Sequence, residues 1–350
     1  MLGGKKITQR NLAKAAIWWK AFRYHFVPPS IFPATLGALV AWAIDRSFYP
    51  LYFIIVIVGV VLNHLALNMA DDYFDYKHSV DQLKQEEKNP YTGGSGTLTS
   101  GFIKPSAMRK AFSLCFMVTI ILGVFLTLTR GLPVLFFGLF GVFCAFFYTA
   151  PPINFSHYSL GEVSQLINFG TTIGLGSYFV QTQKISFEAF VATLPLGIML
   201  FSMIIINEIP DYQEDRLAGK ITLVARYGKE NGVKMYVASW VCTYAIIILA
   251  ALLGVMPVWT LIALASMPLT FRSIRTLKRN FENPSGLAPA NLDMIKAHSI
   301  TSFGLIAAYA ISGVACGANV IQLMIIVLVL VVAYSPAVLV MRKPKNKTPA

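Results

Sequence analysis

Long apolar runs recur along the whole chain and are separated by short polar segments. Most of these runs are close to the length that a helix needs to cross the hydrocarbon core of a bilayer, which is about 20 residues. The pattern predicts ten membrane spans, at residues 26–44, 51–70, 111–129, 132–149, 163–180, 187–209, 235–254, 258–269, 300–316 and 320–340. The expected fold class is therefore all-α, a polytopic bundle of membrane helices.

Composition agrees with this reading. Of the 350 residues, 56% are hydrophobic and 13% are charged, whereas a soluble domain normally carries about 25% charged residues. The first 23 residues are polar, basic and aromatic without an early apolar core, so no cleavable signal peptide is expected. The four cysteines stand alone in apolar spans without CxxC spacing, which favours core packing over a disulfide framework or a zinc site.

The net charge of +13 raises the question of nucleic-acid binding, and the placement of the charges answers it. Ten spans define two sets of loops, and 26 of the 29 Lys and Arg residues fall in the set that includes both termini. The other set holds only Arg46, Arg130 and Lys184. This asymmetry follows the positive-inside rule, so it predicts cytoplasmic termini and an even number of spans. The basicity directs topology and attracts anionic lipid, and no nucleic acid is expected as a partner.

Acidic residues are concentrated at two places on the same predicted side. One cluster follows the second span and the other follows the sixth, and together they hold ten of the 16 acids. In the first cluster, Asn68, Asp72 and Asp75 stand at i, i+4 and i+7. The second cluster has a similar helical spacing of i, i+4 and i+8, at Asn207, Asp211 and Asp215. Such spacing places each set on one side of its helix.

Carboxylates packed together near lipid repel one another and lose solvation, so they need a cation. Mixed Asn and Asp oxygens suit a hard cation, and Mg²⁺ keeps coordination positions open for phosphate oxygens. The alternative is that these are ordinary solvated loop acids, but two matched clusters at one membrane face disfavour it. A different class of protein also stays open, because transporters place acids on facing helices, although nearer the midplane of their spans.

Several segments resemble a known family. "NMADDYFD" at Asn68–Asp75, together with Asp81, and "NEIPDYQEDRLAGKITLVARYG" at Asn207–Gly228 resemble the paired aspartate motifs of the UbiA-type intramembrane aromatic prenyltransferases. Loops containing "NPYTGGSGTLTSGFIKP" and "YTAPPINFSHYSLGE" are most similar to the 1,4-dihydroxy-2-naphthoate polyprenyltransferase branch. Position 71 is Asp where relatives usually have Asn, and the Gly93–Thr97 loop lacks an arginine that relatives often carry.

The resemblance implies an architecture. It gives a UbiA-type core of nine helices with a polar cap on the cytoplasmic side, to which this chain adds a tenth helix. The expected division is a basic interfacial segment at residues 1–25, a prenyltransferase membrane domain at 26–316, and an extra span with a basic tail at 317–350. The expected location is a prokaryotic cell (inner) membrane, with the active site facing the cytoplasm. The glycine-rich segment Gly93–Gly96 lacks P-loop spacing and is interpreted as a mobile lid.

The resemblance also implies a reaction, the Mg²⁺-dependent transfer of a polyprenyl group from prenyl diphosphate to an aromatic acceptor (an alkyl transfer other than methyl). Its expected acceptor is 1,4-dihydroxy-2-naphthoate in menaquinone-type quinone biosynthesis, with 4-hydroxybenzoate, homogentisate or a prenylglycerol phosphate as alternatives. The expected metal ligands, which are also counted as catalytic, are Asp72, Asp75, Asp211 and Asp215. The expected substrate-binding residues are Asn68, Asn207, Lys77, Lys220, Arg226 and Glu162.

Two of the expected residues have a competing explanation. Tyr148 would stabilise an allylic cation through its ring face, although tyrosines at this depth also anchor helices at the interface. Glu162 would orient or deprotonate the acceptor, although an acid at a helix start also complements the helix dipole. For Lys77, Lys220 and Arg226 the competing role is a topogenic surface charge, and Arg226 is favoured because it lies in the second motif.

Overall fold

The computed structural model describes residues 14–78, 91 and 93–342, and within these ranges the chain is almost entirely helical. We number the main helices α1 to α12. Their bounds are α1 Lys14–Phe26, α2 Pro28–Ile44, α3 Pro50–Lys77, α4 Pro105–Arg130, α5 Pro133–Phe146, α6 in three consecutive segments (Gly161–Ile167, Asn168–Thr172 and Ile173–Thr182), α7 Phe187–Leu217, α8 Leu223–Tyr227, α9 Lys229–Leu252, α10 in two segments (Val258–Ser266 and Met267–Asn280), α11 Ala288–Ala315 and α12 Val320–Arg342.

Each of the ten predicted spans coincides with a helix or a broken helix, which confirms an all-α membrane bundle. Six of the described helices are each long and apolar enough to cross a bilayer alone, and the bent pair α1–α2 adds a seventh. The remaining spans are short or irregular. The middle segment of α6 is π-helical, and α10 begins as a 3₁₀ helix. Helices α3 and α7 run past the predicted span ends, to Lys77 and Leu217.

Proline and glycine set several of the helix ends. Pro28, Pro50, Pro105 and Pro133 each occupy the first position of their helix, where the missing N–H has no intrahelical partner to lose. Helix α7 ends just before Gly219, whose φ of 72° is the left-handed conformation that glycine adopts at low cost.

The three basic residues of the loop set with few charges, Arg46, Arg130 and Lys184, lie at the end of the bundle away from the acidic clusters. Arg130 donates to the carbonyl oxygens of Val180 and Gln181 at 2.6 and 3.0 Å. Lys184 pairs with Asp45 at 3.3 Å, and Arg46 donates to the carbonyl oxygen of Cys316. These bonds join the ends of α2, α4, α6 and α11.

The tenth span packs on the bundle. Helix α12 lies against α1 and α2, where Trp42 donates to the carbonyl oxygen of Asn319 and Tyr24 to that of Ala333. Helix α1 meets α2 at an angle of 53°. Residues 1–13 and 343–350, which belong to the predicted basic termini, lie outside the described residues, as does Asp81.

The prediction that the four cysteines pack in the core is confirmed for two of them and wrong for the other two. Cys144 is buried and Cys115 is half-buried, as expected of core packing, but Cys242 and Cys316 are exposed on the outer surface. An apolar surface that faces lipid accepts a thiol as readily as a core does, so burial does not follow from lying in an apolar span.

Close backbone approach holds α2, α6 and α7 together. A Cβ added at Gly197 would clash with the backbone oxygen of Leu166, and one at Gly37 with that of Gly174. Gly170 faces Gly197 in the same seam. In a membrane, where apolar burial gives helices no preference for one another over lipid, such small-residue contacts are a main source of specific packing.

We therefore expect Gly197→Val to destabilise the folded protein by roughly 1–3 kcal/mol, because the new side chain overpacks a seam made of backbone. Gly123→Ala is the matched control, since a Cβ at that helical glycine meets nothing within 4 Å. Thermal unfolding in detergent should show a lower midpoint for Gly197→Val only. Equal midpoints for the two variants would contradict the packing account.

Candidate active site

A polar cavity of about 180 Å³ opens where the acidic ends of α3 and α7 approach each other. Its other walls come from the α1–α2 bend, the loop at Gly93 and Gly94, Tyr148 and the start of α6. Both predicted acidic clusters contribute to it. The two clusters that the sequence places at one membrane face thus line one cavity.

The first cluster reaches the cavity through Asn68, Asp71 and Asp75, which follow one another at i, i+3 and i+7 along α3. Asp72 is also buried, but its carboxylate turns towards the neighbouring loop. Both of its oxygens accept from the backbone N–H of Ser95, at 3.1 and 3.2 Å. Asp72 thus ties the predicted lid to α3, and Asp71 is a cavity residue that the i, i+4 spacing did not select.

The second cluster reaches the cavity through Asn207, Asp211 and Asp215, as its spacing predicts. Helix α7 continues through Pro210, so all three side chains extend from one helix. The Oδ1 atom of Asn207 accepts a hydrogen bond from Nδ2 of Asn291 on α11 at 2.7 Å. This bond fixes the amide of Asn207 at the cavity edge.

Two basic side chains lie among these acids. Arg23 donates from one Nη1 atom to Asp71 at 3.0 Å and to Asp72 at 3.2 Å. From the other side of the cavity, Nζ of Lys220 pairs with Asp75 at 3.3 Å. The sequence analysis did not predict this position of Arg23 beside the first acidic cluster.

Local backbone conformation brings Arg23 to this position. Arg23 lies at the bend between α1 and α2 and has a left-handed backbone conformation, with φ of 49°. Nδ2 of Asn68 donates to the carbonyl oxygen of Phe22 at 3.0 Å, which ties the bend to α3. The predicted substrate residue Asn68 thus also fixes the segment that presents Arg23.

Lys220 is held in its charged form. Burial disfavours the ammonium, but the carboxylates of Asp75, Asp215 and Asp71 outweigh it and raise the pKa of Lys220 well above its usual value. The side chain is 13% exposed. Lys220 is thus a permanently charged, partly desolvated cation at the wall of the cavity, suited to an anionic ligand.

The acids fit a shared cation site that needs an anion to complete it. Among the described residues, no three His, Cys, Asp or Glu side chains stand close enough to hold an ion by themselves. Buried Oδ1 atoms of Asp71 and Asp75 nevertheless have no hydrogen-bond partner in the part of the chain that the structure describes. Mg²⁺ is usually held by one or two carboxylates together with phosphate oxygens, so this donor set fits Mg²⁺ bound with a diphosphate.

Three predicted substrate-binding residues do not line the cavity. Lys77 is exposed and lies over the ring of Tyr73, 5.0 Å from its centroid. Arg226 is exposed as well, on the short helix α8. Glu162 is 1% exposed and accepts from the backbone N–H of Leu223 at 2.6 Å, so it fixes the segment that follows Lys220.

Tyr148 does line the cavity. Its ring lies close to Gly161 at the start of α6, and a Cβ there would approach Cε2 of the ring to 2.9 Å. The absence of a side chain at Gly161 therefore leaves room for the tyrosine ring beside the helix start. Gln165 and Phe169, one and two turns further along α6, continue the same wall without a signal in the sequence that marks them.

Comparison with known proteins identifies the family. The UbiA prenyltransferase family model matches residues 30–292. The chain belongs to the UbiA prenyltransferase family. It is an enzyme that transfers prenyl groups and an integral membrane protein, which removes the transporter alternative.

Curated relatives in this family carry related names. The chain is 24% identical over 301 residues to 1,4-dihydroxy-2-naphthoate octaprenyltransferase of Bacillus subtilis, covering 84% of this chain and 93% of that protein. It is 22% identical to the Escherichia coli protein of the same name, covering 85% and 96%. The 2-carboxy-1,4-naphthoquinone phytyltransferase of Synechocystis is 23% identical, covering 86% and 95%.

Solved structures share the fold. A UbiA homolog from Archaeoglobus fulgidus bound to DMAPP and Mg²⁺ matches with a TM-score of 0.62 at 12% identity, covering 84% of this chain and 98% of that one. A structure of digeranylgeranylglyceryl phosphate synthase matches with a TM-score of 0.60 at 16% identity, covering 85% and 99%.

The contrast between Lys220 and Lys77 gives a direct test of the cavity. We expect Lys220→Gln to raise the KM for prenyl diphosphate about tenfold or more, because a hydrogen bond to a charged group contributes about 1.5–3 kcal/mol. Lys77→Gln, the matched exposed lysine, should leave KM within about twofold. A larger effect at Lys77 than at Lys220 would show that the diphosphate binds elsewhere.

Proposed function

We propose that this enzyme transfers a polyprenyl group to 1,4-dihydroxy-2-naphthoate in a prokaryotic cell membrane, with its active site facing the cytoplasm. The observation that carries the proposal is the convergence of two Asn/Asp stripes, Arg23 and Lys220 on one cavity. The acceptor is supported by the names of relatives that span most of the chain. The cytoplasmic side is supported by the distribution of basic residues.

In this proposal the diphosphate and Mg²⁺ bind between the ends of α3 and α7. The ligands are the four aspartates named from sequence, Asp72, Asp75, Asp211 and Asp215, and Asp71 joins them because it lines the cavity. Bound Mg²⁺ would neutralise the negative charge that builds on the departing pyrophosphate. Support for the ion comes from the oxygen-only donor set and from a fold shared with a protein bound to Mg²⁺.

The basic residues would change partners when the substrate binds. Arg23 and Lys220 pair with aspartates in the structure. Once the aspartates hold cations, these side chains are free to donate to phosphate oxygens, to which guanidinium and ammonium groups bind strongly. As the C–O bond breaks, their charge stabilises the pyrophosphate, and the stabilisation is greatest in the transition state.

Carbon chemistry would take place deeper in the cavity, beyond the charged groups. Phe169 and Met203 supply apolar wall at that level, and the ring of Tyr148 lies nearer the charged groups, within electrostatic reach of Lys220 and Asp71. A neutral aromatic face stabilises an allylic cation without capturing it, by roughly 2 kcal/mol or more in a dry site. The electron-rich acceptor ring would then attack the cation.

A separate apolar groove of about 150 Å³ is the proposed place for the polyprenyl tail. It lies between α3, α4, α5 and α6, and its rim includes Ile120 and Leu139, which are exposed on the outside of the bundle. The groove and the polar cavity are lined by neighbouring residues of the same helices. On α3, Asn63 lines the groove and its neighbour His64 lines the cavity.

Metal ligation predicts that Asp211→Asn or Asp72→Asn abolishes prenyl transfer while the protein remains folded. Asp211→Asn removes a carboxylate at the cavity wall, and Asn at position 72 keeps an oxygen that can accept from the N–H of Ser95, so neither change removes core packing. Glu282→Gln is the control, because Glu282 is 72% exposed and pairs only with Lys229 among the described residues. Transfer of labelled prenyl groups and the unfolding midpoint should be measured together. Normal turnover in either aspartate variant would refute the metal role.

A larger side chain in the groove should slow the reaction of prenyl diphosphates with long chains more than that of short ones. A Cβ at Gly138 meets nothing within 4 Å, so Gly138→Leu fits the fold and occupies groove space. We expect kcat/KM for a long polyprenyl diphosphate to fall about tenfold while that for geranyl diphosphate stays nearly unchanged, because overpacking costs about 1–3 kcal/mol. Leu128→Phe, on the exposed outer face of α4, is the control. Equal effects on both donors would place the tail elsewhere.

A further inference from the structure

A small annex of about 20 Å³ lies beside the main cavity. Among the described residues, Phe26, Pro29 and Met203 line both spaces, so the annex adjoins the cavity at these three side chains. A space of this size holds one polar group or one water and cannot hold an aromatic ring. Any ligand that uses the annex must therefore keep its body in the main cavity and extend a substituent into the annex.

His298 supplies a hydrogen-bonding group to the wall of the annex. The residue is 2% exposed and lines the annex from α11. Its Nε2 atom has no hydrogen-bond partner among the described residues. Leaving such a group unsatisfied costs about 1–3 kcal/mol, so a partner for Nε2 is expected when the site is in use. A neutral imidazole either donates or accepts at this atom, depending on its tautomer.

The annex lies at a suitable distance from the diphosphate site. Met203 and Asp211 are eight residues apart on α7, which corresponds to ~12 Å along the helix. On α11, Asn291 bonds to Asn207 near the charged end, and His298 follows about two turns further along. An acceptor that extends from the reacting carbon to the annex would lie between these two levels of the bundle.

The tenth helix closes the annex on its outer side. Tyr334 of α12 lines the annex and packs its ring against Phe32 of α2 and Phe303 of α11, at centroid distances of 5.5 and 5.2 Å. His298 and Tyr334 both lie beyond residue 292, where the family model ends. The extra helix thus separates the imidazole from the lipid-facing surface.

We propose that Nε2 of His298 hydrogen-bonds a hydroxyl or carboxylate of the aromatic acceptor and so orients its ring towards the allylic carbon. This inference rests on the proposed function, since it assumes an aromatic acceptor with a polar substituent. His298 is then a specificity-determining residue at the end of the cavity opposite the diphosphate. The role of the tenth helix is to keep this subsite closed and dry.

The test compares two substitutions with different reach. The amide nitrogen of Gln occupies roughly the position of Nε2, so His298→Gln should keep acceptor binding within about twofold of wild type. His298→Phe keeps the ring volume without the hydrogen bond and should weaken binding about tenfold. Ser335→Ala on α12 is the control and should leave binding unchanged, because Ser335 is exposed, lies outside the annex lining and donates to the carbonyl oxygen of Val332.

Binding is measured by naphthalene fluorescence on the purified full-length protein without prenyl diphosphate, so turnover is not involved. The probes are 1-hydroxy-2-naphthoate and 1-naphthol. Weakening by His298→Phe of the first probe alone assigns the contact to the carboxylate, and weakening of both assigns it to the hydroxyl. Turnover of 1,4-dihydroxy-2-naphthoate should show the same change in the acceptor KM, while the KM for prenyl diphosphate stays unchanged.

Unchanged binding of both probes by His298→Phe would overturn the proposal and leave the annex to a water molecule. Equal loss in the Phe and Gln variants would also overturn it, because the effect would then come from packing. Failure of the proposed function looks different: wild-type protein would neither bind nor prenylate the naphthoates, and the acceptor subsite would be rejected with it.

Discussion

The site depends on a balance between carboxylates that repel one another and the two cations that hold them together. At an effective dielectric constant of about 20, two like charges 4 Å apart repel by about 4 kcal/mol. Arg23 bridges Asp71 and Asp72, and Lys220 reaches Asp75 from the opposite wall. These pairs allow two acidic helix ends to share one cavity before any ligand arrives.

The need to neutralise these carboxylates also explains how the α1–α2 bend and the glycine-rich loop are held. Arg23 reaches the aspartates only because the chain bends by 53° between α1 and α2, at its own left-handed residue. The side chain of Asn68 fixes that bend, and the N–H of Ser95 satisfies the buried carboxylate of Asp72. The α1–α2 bend and the glycine-rich loop are therefore both tied to α3 through charged or amide groups, so the cap of the cavity is built around its acids.

Sequence patterning predicted the helices and both acidic clusters because each depends on local spacing and on the solvent that a segment meets. It missed Arg23 because that residue meets Asp71 from 48 positions away, which no local period encodes. It selected Asp72 over Asp71 because the rotation of α3 is set by its neighbours, and adjacent helical positions point about 100° apart. Lys77 and Arg226 were predicted from charge near a motif, yet both point outward.

A gradient of polarity along the cavity connects the site to the proposed reaction. At one end the walls are charged and Tyr148 lies within electrostatic reach of Lys220 and Asp71, Phe169 and Met203 form apolar wall further in, and the annex beyond offers the imidazole of His298. A carboxylate or water in the middle would capture an allylic cation, whereas charge at the first end is needed to release the pyrophosphate. A neutral hydrogen-bonding group at the far end orients an acceptor without placing another strong nucleophile beside the cation. The order of these three environments therefore follows from the reactivity of the intermediate that the cavity must contain.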